Sequence, residues 1–249
     1  MKRGSEMPDD PTTLRIEAVI FDLDGTLVDS LPDIHAAANR LLGERGHGPL
    51  APAEVRGFVG NGMGVLVERL LAAAGEAAGP DDLAAAQARY GDLYDAAPSE
   101  RSSLYPGVRA ALERLQGRGL ALGVCTNKPE TPARQILADL GIAGCLPVLV
   151  GGDSLPQRKP DPAPLYHAAA GLDVATDAVL YVGDSEVDAA TAQAAGVRFA
   201  LHTEGYRKTP VAKIHHDLRF EEFARLPALV DALSHGRLSR EAARESAAD

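Results

Sequence analysis

The stretch Glu17-Ala18-Val19-Ile20-Phe21-Asp22-Leu23-Asp24-Gly25-Thr26-Leu27-Val28-Asp29-Ser30 decides the fold. It opens with a short apolar run, EAVIF, that ends at once in acids and a glycine. Such a run reads as a strand buried on both faces. Similar runs recur at 120–125 (LALGVC), 146–150 (LPVLV), 178–182 (AVLYV) and 197–201 (VRFAL). Helical patterning fills the gaps between them, at 108–116, 132–140, 164–170 and 188–195, and several of these segments stop at glycine.

Strand and helix alternate from residue 105 to 201. That order predicts an α/β fold, a Rossmann-like parallel sheet with helices on both faces. Residues 31–104 break the alternation and hold no convincing strand. They read as helices at 31–42, 65–74 and 82–96, split by GERGHGPLAP and GEAAGP. The expected organisation is a core of residues 15–30 and 105–235 with an all-helical cap, 31–104, inserted after the first strand. Residues 1–14 are polar and contain proline, and 236–249 are polar and rich in alanine; both are expected to be flexible.

The composition is that of an ordinary globular protein, 45% hydrophobic and 24% charged. A formal net charge of -10 argues against nucleic acid or an anionic membrane as partner. An anionic ligand must then be drawn by a local positive site. Cys125 and Cys145 lie beside apolar runs and read as small buried hydrophobes in a reducing compartment. No Cys/His spacing suits a metal. The opening MKRGSEMPDDPTT lacks the apolar region of a secretory signal, and no apolar run approaches the ~18 residues of a membrane span, so the expected location is cytoplasmic.

Open parallel sheets bind ligands beyond the carboxyl ends of their strands. There the sequence places Asp22-Leu23-Asp24-Gly25-Thr26, then Thr126-Asn127-Lys128, then Lys159-Pro160, then Gly183-Asp184-Ser185 with Asp188 beyond. Crowded acids repel unless a cation neutralises them, and Mg²⁺ takes oxygen ligands while leaving room for water and phosphate. A carboxylate in such a site can attack phosphorus, and a second can protonate the leaving oxygen. A lysine, a threonine hydroxyl and loop N–H groups suit the charge on a transferred phosphoryl group. The plainer readings are turn acids for Asp22 and Asp24, a helix cap for Asp184-Ser185 and a solvated first-turn acid for Asp188. Asp29 and Ser30 are expected to start the next helix without sharing in the chemistry. Only five lysines occur, and Lys159 is the better anion binder, with Lys128 expected at the solvent rim.

The string FDLDGTLVDS, followed in order by TNK, KP and GDSEVD, resembles the haloacid dehalogenase-like hydrolase superfamily from about Ala18 to beyond Leu201. The resemblance implies that Asp22 is nucleophile and metal ligand. It makes Asp24 the general acid/base, with its backbone carbonyl on Mg²⁺. Thr126, Asn127 and Lys159 would bind the phosphoryl group, and Asp184 the metal. Asp188 would support the metal shell, through water or by holding Lys159, and Gly25 and Asn61 are further supporting positions. GNG with LVERLL, TNKP, GGDSLPQRKPDP, VGDSEVDAATAQAAG and Gly205-Tyr206 are similar to the phosphoglycolate phosphatases. That likeness implies hydrolysis of 2-phosphoglycolate, a small phosphorylated metabolite, to glycolate and phosphate beneath a closing cap, by a monomer or homodimer.

A broader sugar-phosphate or pyrophosphate phosphatase is the nearest alternative, and a noncatalytic interaction protein is the non-enzyme one. A phosphonate hydrolase needs a cap lysine, and residues 31–104 contain none. A dehalogenase lacks the second acid, and Asp24 is present. A phosphosugar mutase needs a histidine where Ile34 stands, with His35 one residue late. Arg56 and Arg69 lie near the GNG segment, within reach of a second anionic group, although exposure to solvent is the plainer reading of each.

Overall fold

A computed structural model describes residues 15–234. The termini expected to be flexible, 1–14 and 236–249, lie outside the described residues, as does residue 235. The chain opens with β1 (Ala18–Phe21) and β2 (Val28–Asp29). Four helices follow, α1 (Leu31–Glu44), α2 (Pro52–Arg56), α3 (Met63–Ala73) and α4 (Pro80–Asp95), and then β3 (Ser103–Leu104). The alternating part holds α5 (Val108–Gln116), β4 (Ala121–Cys125), α6 (Glu130–Asp139), β5 (Val148–Val150) and α7 (Ala163–Gly171). It continues through β6 (Val179–Gly183), α8 (Glu186–Ala195), β7 (Arg198–His202), β8 (Leu218–Phe220) and α9 (Leu226–Ser234).

Among the described residues, one six-stranded sheet runs β5-β4-β1-β6-β7-β8, all parallel. The expected α/β architecture is therefore present, and β1 lies inside it between β4 and β6. Successive residues of β1 serve opposite faces. Val19 and Phe21 pack in one apolar cluster with Leu112 of α5 and Ile136 of α6. Ala18 and Ile20 pack in another with Leu165 of α7 and Ala192 of α8. Because helices cover both faces, the strands read as continuous apolar runs and not as alternating ones. Among the described residues no helix is long and apolar enough to cross a membrane.

The insertion between β2 and β3 is helical, with α1 packed on α2 and α4, and α3 on α4. The short α2 was not predicted, and neither were β8 and α9 near the end of the chain. Nor was any strand expected within 31–104, yet β3 pairs antiparallel with β2 through Val28↔Leu104 and Asp29↔Ser103. A ladder that short leaves no periodic pattern to read.

The two chain crossings at this ribbon are fastened by Asp33, which is buried. Its carboxylate accepts from the backbone N–H of Arg101 at 3.0 Å, and from the N–H and hydroxyl of Ser102 at 2.7 and 2.6 Å. Removing it strands those donors without water. Asp33→Ala should lower unfolding stability by about 3 kcal/mol and Asp33→Asn by less, as measured by urea denaturation.

Candidate active site

At the end of β1 the Asp22 N–H makes a last sheet bond to the Val182 carbonyl at 2.8 Å. The chain then coils on itself, with the Gly25 N–H bonded to the Val28 carbonyl at 2.9 Å and the Leu27 N–H to Leu23 at 3.0 Å. Gly25 has φ +85°, and a Cβ there would stand 2.5 Å from Asp184 Oδ2. Glycine is needed at Gly25 for both reasons. Gly205 is held as closely: a Cβ on it would overlap the Asp184 side chain and the Gly25 carbonyl. The Asp184 carboxylate therefore sits in a cradle of backbone. It accepts from Thr26 Oγ1 at 2.8 Å and from the Tyr206 N–H at 2.5 Å.

One carboxylate oxygen from each of Asp22, Asp184 and Asp188 lies within 4.8 Å of the others. Adjacent parallel strands put them there, since β1 delivers Asp22 and β6 delivers Asp184. Helix α8 then follows Ser185, which caps it by a reciprocal pair of bonds with Asp188. Ser185 thus takes the capping role, and Asp184 is left for the cluster.

Burial pushes Asp22 up to about 6, against the pull of Lys159 and with the repulsion of Asp188 added. Burial raises Asp184 well above the usual carboxylate range, and Asp188 and Asp22 add to it. For Asp188 burial acts in the same direction but loses. The charge of Lys159 and hydrogen bonds from Lys159, Ser185 and Tyr181 hold it below its ordinary value.

Asp188 is saturated, with Lys159 Nζ at 2.7 Å, the Tyr181 hydroxyl at 2.9 Å and the Ser185 hydroxyl at 2.6 Å. Of the two roles the resemblance allowed it, holding Lys159 is the one its contacts display. Asp22 Oδ1 is different. Lys159 Nζ lies 3.0 Å from it, but this buried oxygen accepts no well-angled hydrogen bond. A void of about 10 Å³ opens beside Asp22, Asp24 and Asp184. Hard oxygen donors, an under-satisfied carboxylate and a small void suit a divalent cation that prefers oxygen.

Beside the cluster a cavity of about 120 Å³ is walled by Asp22, Asp24, Thr126 and Lys128 from the strand ends. Helices α1, α3 and α4 close it with Ile34, Met63, Leu66, Tyr90 and Tyr94. Three polar bridges join the segment before α3 to the strand ends. Asn127 Nδ2 donates to the Gly60 carbonyl at 3.0 Å, Lys208 Nζ donates to Val59 at 3.1 Å, and Arg56 donates to the Gly205 carbonyl.

Residues 19–202 match the model of the haloacid dehalogenase-like hydrolase family. A protein of Cereibacter sphaeroides (strain ATCC 17029), described as phosphoglycolate phosphatase, is 53% identical over 215 residues, covering 86% of this chain and 98% of that protein. One of Rhodobacter capsulatus with the same description is 45% identical over 217 residues, covering 86% of this chain and 96% of that one. The crystal structure of a predicted phosphoglycolate phosphatase from Haemophilus somnus superposes with a TM-score of 0.81 at 33% identity, covering 86% of this chain and 97% of that one. The chain belongs to the haloacid dehalogenase-like hydrolases, in their phosphoglycolate phosphatase family.

In this hydrolase several residues sit otherwise than expected. Lys128 is not at the solvent rim. It is buried, with Nζ 3.1 and 3.2 Å from the two Asp24 oxygens and 4.4 Å above the Tyr94 ring. Burial opposes its charge, but Asp24 outweighs burial and keeps it protonated. Ser30 does more than start α1, since its hydroxyl donates to Asp24 Oδ1 at 2.6 Å.

The Asn127 amide bonds to the Gly60 and Lys159 carbonyls and the Lys159 N–H, so its side chain ties loops together at the cavity wall. Asn61 lies outside the cavity wall. Its side-chain oxygen accepts from Arg69 at 3.0 Å, and its neighbours Gly60 and Gly62 form the wall. Arg69 Nη1 also donates to the Phe58 carbonyl, and Arg56 is held by Gly205 and lies over the Tyr206 ring. His35 bonds to the Leu50 carbonyl at 2.9 Å, within the helical insertion.

Tyr181 was missed. Its hydroxyl receives Lys159 Nζ at 2.9 Å and lies as close to Asp188. The signal was a tyrosine in an otherwise aliphatic buried strand, whose hydroxyl must find a partner. Asp188→Ala would leave Lys159 buried with its main partner gone. It should cost about 3 kcal/mol or more in stability, read by chemical denaturation, and loosen Lys159 against Asp22.

Proposed function

We propose that this hydrolase is a Mg²⁺-dependent 2-phosphoglycolate phosphatase. The observation that carries the chemistry is the placement of Asp22, buried, under-satisfied and between Lys159 and the acid cluster. The descriptions of relatives that align over nearly their whole length support the substrate. The substrate's small size suits the small cavity.

In this reading Asp22 attacks phosphorus. A carboxylate oxygen–phosphorus bond forms, the ester oxygen–phosphorus bond breaks, and Asp24 gives its proton to the departing glycolate oxygen. In the second half Asp24 takes a proton from water as that water attacks phosphorus, and Asp22 is released with free phosphate. Lys159 and the Thr126 hydroxyl face the charge spread over the phosphoryl oxygens. Asp22, Asp184 and the Asp24 carbonyl would hold Mg²⁺, with Asp188 fixing Lys159 beside them. When bound, Mg²⁺ offsets the charge of the carboxylates and of the phosphoryl group. Residues 31–104 act as a cap over the core of 15–30 and 105–235, and the apolar side chains of α1, α3 and α4 exclude surplus water. A cytoplasmic location suits the two free cysteines.

The mutase alternative is disfavoured by His35, whose ring is committed to Leu50 and Asn39 while Asp24 is held by Lys128 and Ser30. A noncatalytic role leaves the buried charges without purpose.

A phosphate-release screen over small esters should show 2-phosphoglycolate preferred to pyrophosphate and hexose phosphates, and only with Mg²⁺ present. Asp22→Asn should abolish release; residual turnover near the wild-type rate would refute the nucleophile. Asp24→Ala should slow release by about 10²–10⁴-fold.

The raised Asp22 also predicts a pH effect. A carboxyl raised to about 6 from 3.8 adds stability below the lower value and loses it as pH rises through the higher one. Without metal, the melting temperature should therefore fall as pH rises through about 6. Mg²⁺, which binds the ionised carboxylates, should abolish that fall in a thermal-shift titration.

A further inference from the structure

We propose that Lys128 is the residue that selects substrates carrying a carboxylate, by forming an ion pair with it inside the cavity. The inference rests on the phosphatase reading and names the group that makes its substrate specific. Among the described residues, Lys128 is the one cation that walls the cavity of about 120 Å³. Away from the phosphoryl end the wall is formed by Ile34, Met63 and Leu66, the tyrosines Tyr90 and Tyr94, and Asp95, none of which carries positive charge. An ionised carboxylate enclosed there without a counter-charge would be strongly disfavoured.

Arginines that might have served instead are committed elsewhere. Arg56 is on the Gly205 carbonyl, and Arg69 is on Phe58 and Asn61. Lys159 serves Asp22 and Asp188 at the other end of the site.

The backbone joins the two binding groups. Thr126 and Lys128 belong to one short loop after β4, and the Lys128 N–H bonds to Thr126 Oγ1 at 3.3 Å. The Lys128 main chain is therefore tied to the phosphoryl-binding hydroxyl, while Asp24 and the Tyr94 ring place its ammonium. An ammonium has three donors. Asp24 accepts from Lys128 on one side and the Tyr94 ring covers another, so the head group is steered and cannot swing to solvent.

Because Lys128 also touches Asp24, its removal slows every substrate, and the test must read a ratio. Two esters suffice, 2-phosphoglycolate and 2-hydroxyethyl phosphate, which differ in carboxylate against neutral hydroxymethyl. In the wild type kcat/KM should favour 2-phosphoglycolate by about 100-fold. In Lys128→Met, an apolar side chain of similar length, both should fall. The ratio should collapse toward one, with KM for 2-phosphoglycolate rising most.

A variant that slows both esters equally and keeps the ratio would overturn the proposal and leave the phosphatase reading intact. A wild type that turns over simple esters but not 2-phosphoglycolate would sink that reading and the proposal together. The wild-type ratio needs no variant to fold, so a ratio near one already overturns the proposal. Lys128→Gln, with a polar head and no charge, should collapse the ratio as Met does; a ratio preserved by Gln would show that charge is not what selects.

Discussion

The Lys159 ammonium lies between Asp22 at 3.0 Å and Asp188 at 2.7 Å, with a side chain only 2% exposed. Three carboxylates converge here because of strand order, and one lysine cannot answer them all. Its closest partner, Asp188, becomes the most firmly ionised of the three, and Asp22 and Asp184 are pushed the other way by burial and mutual repulsion. A buried ion pair of this kind costs desolvation and is weak evidence for stability by itself. What it does here is fix one carboxylate as a structural counter-ion and leave two that require a further positive charge. The chemistry of the site follows from that imbalance.

The backbone keeps the imbalance from relaxing. Asp184 cannot withdraw, because Gly25 and Gly205 press on it and Thr26 and the Tyr206 N–H hold its oxygens. Gly25 is itself held, since the His202 ring bonds to its carbonyl through Nδ1 at 3.0 Å and packs among Tyr105, Phe220 and Phe223. The Tyr206 hydroxyl donates to Asp29 and accepts from the Leu31 N–H. The loop that cradles Asp184 thus also holds the start of α1, so the acid cluster and the entry to the helical insertion share one set of contacts.

Much of this was legible from residue order, for a physical reason. Strands covered on both faces must be apolar throughout, and the four inner ones announce themselves, as AVIF does in β1. The acids and lysines stand where those runs stop. What escaped reading was whatever depends on how the chain folds back to meet a partner. The β2–β3 ribbon is two short pieces whose strand character exists only in their pairing. Lys128 reads as a rim residue until α4 lays Tyr94 across it. Ser30 reads as a helix start until the turn at Gly25 brings Asp24 back to it. Asn127 reads as a ligand-binding amide until the loop of Lys159 closes on it.

The two acids of the first loop, Asp22 and Asp24, show how one residue type is given two tasks. They leave the same strand end, and each meets a different lysine, Lys159 for the first and Lys128 for the second. Asp22 shares its lysine with another acid and lies among carboxylates, so what it lacks is positive charge, which favours contact with a cation or an electrophilic centre. Asp24 has both oxygens on its lysine, a serine hydroxyl on one of them and the cavity beside it. Separate counter-ions keep the two from competing for one proton or one cation, as carboxylates sharing a site otherwise do. The division depends on two ammonium groups supplied by different strand ends. The sheet order that brings β5, β4, β1 and β6 side by side therefore does more than pack the core, because it assigns each carboxylate the partner that defines its role.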